Sequence, residues 1–175
     1  LNIKFFVFDF DGVVKDSLLA KGRVFADFVG VSGHLASRVI EHHISNAGMS
    51  RSHKLPLYLK WASGEMCTPL MSEGDLCQHM ISAVVGSPWV NGVQRFLKRC
   101  VQNDCMCFIA TAMPQEEIRE IVDKLELDFE LSRVYGSCEV HPDKIAMLQK
   151  IIDGHNLNPN AGFFFGDSRS DMTAA

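Results

Sequence analysis

The chain has 175 residues, 47% of them hydrophobic, with 17 basic against 21 acidic side chains and a net charge of −4. That length suits one domain or a core with a modest insertion, and the apolar fraction argues against disorder. The acidic balance leaves no footprint for nucleic acid, and no apolar run approaches the roughly 20 residues that span a bilayer.

Ile3 to Phe8 is a short, nearly continuous apolar run, the pattern of a buried parallel strand. Its start lacks a charged n-region and a small-residue cleavage site, so no signal peptide is expected. From Ser17 to Gly86 the rhythm changes. Val24, Phe25, Phe28 and Val29 mark one amphipathic helix, and Leu35, Val39, Ile40 and His43 a second. Leu57, Tyr58 and Trp61 mark a third, and Leu76, Met80 and Ile81 a fourth. No strong strand run interrupts them, so residues 17–86 read as an all-helical insertion. Residues 1–16 and 87–175 then form an α/β core.

In that core Val93, Phe96, Leu97, Cys100 and Val101 follow helical spacing, and Cys105 to Ala110 is a second strand run. Pro114 suits a first helical turn before Ile118, Ile121, Val122 and Leu125. Val134 and Tyr135 make a shorter third strand. Ile145, Leu148, Ile151 and Ile152 mark a helix after Pro142, with a stop at Gly154. Ala161 to Phe165 is the fourth strand, closed by Gly166. Alternation at this spacing predicts a Rossmann-like parallel sheet covered by helices.

The polar residues gather at the ends of these elements. Asp9 and Asp11 follow the first strand, Thr111 the second, and Asp167 and Asp171 the last, while Lys144 opens a helix. Strand C-terminal ends line the ligand crevice of an open parallel sheet. Four carboxylates, one hydroxyl and one ammonium therefore converge on one edge. Crowded carboxylates need a hard divalent cation with oxygen ligands, and magnesium commonly works through a few carboxylates plus substrate phosphate. A carboxylate can then attack phosphorus, and a second carboxyl can protonate the leaving oxygen. Each residue also has a plainer reading. Asp9 and Asp11 could shape an Asx turn with Gly12. Asp167 and Asp171 could complement a helix dipole, and Thr111 could cap a helix. Lys144 and Arg51 could simply be solvated. The seven histidines form no spaced ligand set. Six cysteines (Cys67, Cys77, Cys100, Cys105, Cys107 and Cys138) contain no C-x-x-C pair, which argues against structural zinc and suits a reducing, cytoplasmic setting.

Asp9-Phe10-Asp11-Gly12-Val13-Val14 resembles the first motif of the haloacid dehalogenase-like phosphohydrolases. Phe108-Ile109-Ala110-Thr111 is similar to the second, Lys144 to the third, and Gly166-Asp167-Ser168-Arg169-Ser170-Asp171 to the fourth. Order and spacing match over nearly the whole chain. The resemblance implies that Asp9 is the nucleophile and a magnesium ligand. It implies that Asp11 is the general acid/base, with its backbone carbonyl on the metal. Thr111, Ala112 and Lys144 would hold the phosphoryl oxygens, and Asp167 and Asp171 would complete the metal site. The insertion over 17–86 lies where the family's helical cap is inserted, as in its phosphoglycolate phosphatase and β-phosphoglucomutase branch. Gly48-Met49-Ser50-Arg51 is similar to the cap segment in which those mutases read a non-reacting phosphate, so Arg51 is the candidate for a distal anion. Lys21 stands where that mutase branch carries a histidine, which counts against a mutase. The family continues past the position of Asp171 through another helix and strand, so the C-terminal end of the core is expected to be missing from these 175 residues.

The expected activity is magnesium-dependent hydrolysis of a small phosphorylated metabolite, a sugar phosphate or a phosphoglycolate-like compound, through an aspartyl phosphate. A sugar-phosphate mutase and an inactive module that binds a phosphoryl ligand are the alternatives. No nucleic-acid or membrane partner is expected.

Overall fold

The computed structural model describes residues 3–63, 71–127, 133–140 and 143–175. Cys67, His141 and Pro142 lie outside them. Four parallel strands, β1 (Phe5–Phe8), β2 (Met106–Pro114), β3 (Val134–Ser137) and β4 (Gly162–Phe165), form one sheet in the order β3-β2-β1-β4. Phe8 pairs with Ile109 on one side and Phe165 on the other. The order reverses direction at β1, and such a switch point opens a crevice beyond the strand ends.

Side-chain alternation explains the layers. Phe8, Cys107 and Ile109 face one side, against α5 (Val93–Gln102) and α6 (Gln115–Lys124). Val7, Phe108 and Ala110 face the other, against Met147 and Ile151 of α7 (Lys144–Gly154). The central strands β1 and β2 thus bury both faces, each large apolar side chain contributing about 1.5–3 kcal/mol.

Four helices lie between β1 and α5: α1 (Leu18–Phe28), α2 (Gly33–Ser45), α3 (Arg51–Ala62) and α4 (Glu73–Gly86). All four predicted insertion helices are present. They pack around a cluster of their own that includes Phe25, Val39, Tyr58, Leu76 and Met80. The C-terminal turn of α4 instead joins the core through Ile81 and Val84. The outgoing and returning chains run side by side. Asp16 N–H donates to Pro88 O at 2.9 Å and Val90 N–H to Val14 O at 3.1 Å. Lys15, buried, clasps them by donating from Nζ to Val85 O at 3.0 Å.

Two expectations need correction. Thr111 lies inside β2 rather than after it, because β2 runs on to Pro114 through a bulge opposite β3. In α7 the buried face is Lys144, Met147 and Ile151, whereas Ile145 is 56% exposed. The helix is turned so that Lys144 points inward to acidic partners, and that electrostatic demand outweighs the aliphatic stripe. The last helix is the short α8 (Arg169–Ala174).

Candidate active site

Asp9 extends the end of β1, and the loop after β4 carries Asp167 and leads into α8. Asp9, Asp167 and Asp171 each present an oxygen within 4.8 Å of the others. Lys144 reaches in from α7, with Nζ 2.6 Å from Asp9 Oδ2 and in contact with Asp171 Oδ1. Asp9 Oδ1 also accepts the Phe10 N–H at 2.7 Å. Asp171 has a second duty at the start of α8. Its Oδ2 accepts from Ser168 N–H at 2.9 Å, while Ser168 Oγ accepts from Asp171 N–H at 3.4 Å. Asp171 thus caps α8 with one oxygen and meets Lys144 with the other.

Burial pushes the Asp9 carboxyl up to about 7, against the pull of Lys144 and with Asp171 adding to the rise. Asp167 is raised by burial and then by Asp171. Burial alone would lower Lys144, but Asp9 and Asp171 hold it above its usual value. Three carboxylates thus share one ammonium in a partly dry space. That donor set is all hard oxygen, short of positive charge, and it fits a divalent cation such as magnesium.

The carboxylate of Asp11 turns away from this trio. Its Oδ1 accepts from Ser17 Oγ at 2.5 Å and its Oδ2 from the Lys21 ammonium. Gly12 makes the close approach of the two motif loops possible. It sits at φ +80°, and a Cβ there would lie 2.0 Å from Asp167 Oδ2. Thr111 is buried in the bulge of β2, where its Oγ1 accepts the Met113 N–H at 3.4 Å. Ala112 follows it and lines a small cavity together with Asp11 and Lys21. Arg51 also lines that cavity, yet both of its terminal nitrogens donate to Glu117 on α6 at 2.6 Å. The anion that Arg51 grips here is the protein's own carboxylate.

Sequence reasoning missed the roles of Ser17, Lys21 and Glu117. Lys21 stood out only as a departure from a family pattern, although its i, i+4 spacing from Ser17 puts both on one helix face. Glu117 gave no local signal. A larger cavity of about 460 Å³ lies beside Trp89, Leu97 and Cys107, and none of these carboxylates lines it.

Residues 78–175, more than half of the chain, match the family described as haloacid dehalogenase-like hydrolase. The chain belongs to the haloacid dehalogenase-like hydrolases. No curated protein matches it. Solved structures of this haloacid dehalogenase-like fold align along almost all of it. A predicted phosphoglycolate phosphatase from Haemophilus somnus is 18% identical with TM-score 0.68, the alignment covering 99% of this chain and 81% of that one. A protein from Rhodobacter sphaeroides, CbbY, solved with xylulose-1,5-bisphosphate, is 12% identical with TM-score 0.71, covering 98% and 81%. A haloacid dehalogenase-superfamily hydrolase from Geobacter sulfurreducens is 17% identical with TM-score 0.64, covering 99% and 82%. At these identities the likeness is one of fold. Among the described residues, no helix is long and apolar enough to cross a membrane.

Proposed function

We propose that this hydrolase cleaves the monoester of a small phosphorylated metabolite by way of an aspartyl phosphate on Asp9. The observation that carries the reading is the meeting of Asp9, Asp167 and Asp171 with Lys144 at the switch point of the sheet. Asp9, Asp167 and Asp171, with the backbone carbonyl of Asp11, would hold magnesium, which supplies positive charge to the phosphoryl oxygens. Lys144, Thr111 and the Ala112 backbone hold the same oxygens from the other side. An Asp9 oxygen attacks phosphorus and the ester P–O bond breaks, while Asp11 gives its proton to the departing alkoxide. Asp11 then takes a proton from water as that water attacks phosphorus, releasing phosphate and restoring Asp9. Lys21 and Ser17 act as positioning residues, fixing the direction of the Asp11 carboxyl.

In this reading residues 1–16 and 87–175 are the catalytic core and 17–86 the cap. Arg51, expected to read a distal anion, takes a different part and pins cap to core through Glu117. A reducing, cytoplasmic setting suits the five described cysteines, all of them free thiols.

The test is hydrolysis of an aryl phosphate by the purified chain. Turnover is expected with magnesium and lost with chelator, and Asp9→Asn should lower kcat by roughly a thousandfold or more while the circular dichroism spectrum is kept. Retained turnover in that variant would remove Asp9 as nucleophile. Isomer formation from a sugar monophosphate given a bisphosphate primer would instead establish a mutase.

A further inference from the structure

The reaction centre is shut in. Asp9 and Lys144 are 5% exposed and Thr111 is 1% exposed. The cavity between cap and core that borders Asp11 and Ala112 measures about 30 Å³, room for roughly one or two waters. Two roomier clefts, of about 400 and 410 Å³, touch Ala112 and Asp167, yet Asp9, Thr111 and Lys144 line neither. A phosphorylated molecule therefore reaches Asp9 only after the cap has moved.

The chain provides a hinge for that motion. Residues 14–16 and 88–90 carry the chain out to the cap and back, joined by the backbone bonds from Asp16 to Pro88 and from Val90 to Val14. Among the described residues, two ion pairs cross from cap to core: Lys21 to Asp11 and Arg51 to Glu117. Lys21 lies in the first turn of α1, close behind Asp16, so it travels little when the cap swings. Arg51 lies midway along the insertion, far in sequence from both hinge strands, and both of its terminal nitrogens donate to Glu117. Parting this pair strands a carboxylate that is 5% exposed, so its cost falls on the first step of opening.

We propose that the Arg51–Glu117 pair is a latch, which holds the cap shut over the reaction centre and parts to let molecules in and out. The latch stands on geometry alone; what passes it rests on the phosphohydrolase reading above. Lys54 reports its opening. It follows Arg51 on α3 and lines the 30 Å³ cavity at 1% exposure, whereas Lys60 on the same helix is exposed. Lys15, buried at the hinge, serves as the control for general unfolding.

The experiment is brief acetylation of the native chain with acetic anhydride at mildly alkaline pH, read by peptide mass spectrometry. In the wild type, Lys54 should label at least about a hundredfold more slowly than Lys60. Glu117→Gln should raise the Lys54-to-Lys60 ratio about tenfold and leave the Lys15-to-Lys60 ratio within about twofold. Wild-type Lys54 labelled as fast as Lys60 would mean an unsealed site and overturn the proposal. An unchanged ratio in the variant, or a parallel rise at Lys15, would overturn it too. Should Glu117→Gln fail to fold, Arg51→Lys keeps the charge and loses the fork. That variant should raise the Lys54 ratio about threefold, and no rise overturns the latch. No substrate is needed, so the expected labelling in a chain without turnover would leave the latch standing and sink the phosphohydrolase reading alone.

Discussion

Asp9 sits where a carboxylate is costly to keep. Burial raises its pKa from 3.8 to about 7, so the folded chain holds that proton more tightly than the unfolded one. The sign follows from linkage. Between those two values the folded state binds more protons, so without metal this group makes stability fall as pH rises through the window. A shift of roughly three units corresponds to a few kcal/mol at most. Asp9→Asn should therefore melt above the wild type in chelator at pH 8, with the gap closing at pH 4, and saturating magnesium should shrink it. An equal gap at both pH values would contradict the assignment. Asp9, Asp167 and Lys144 were legible in the sequence because a strand end or a helix start fixes where each residue goes. Lys21 and Glu117 were not, because their roles depend on which helix the fold lays beside them.

The elements meet at one conspicuous seam. Arg51 begins α3 and Glu117 lies in the first turn of α6, so a single bidentate pair ties the helical insertion to the sheet domain. Glu117 is 5% exposed, and a buried carboxylate is stable only while its partner stays in place. Glu117→Gln keeps the shape and loses the charge. It should lower stability by about 1–3 kcal/mol. The Arg51→Met, Glu117→Gln double variant should lose less than the sum of the single losses, which thermal melts of the four proteins would measure. Helix periods were readable for α1 to α4 from apolar side chains recurring on one face, although α3 also buries Lys54 there. The face of α7 was not, since Lys144 and its carboxylates, rather than Ile145, decide its rotation.

For the molecule as a whole, the fold class followed from strand and helix alternation, but the sheet order could not, because it depends on tertiary pairing. Among the described residues, that order leaves β4 at an edge, paired only with β1. Phe163 and Phe165 are exposed there, beside the rings of Phe6 and Phe96. An apolar edge strand invites another copy to pair with it. The 175-residue chain should therefore self-associate at tens of micromolar, and Phe163→Lys should return sedimentation velocity to a single monomer peak; no change would clear this edge. The turn between α2 and α3 rests against the acidic loop of the core. A Cβ on Gly48 would lie 1.9 Å from Ser170 Oγ and 2.8 Å from Ser168 Oγ. The insertion is seated on a residue without a side chain, and its height above the carboxylates is set by a hydrogen atom. The insertion can approach the carboxylate loop this closely only because position 48 has no side chain. Any larger residue there must displace Ser170 or lift the turn, so Gly48→Ala would widen the gap between insertion and carboxylates.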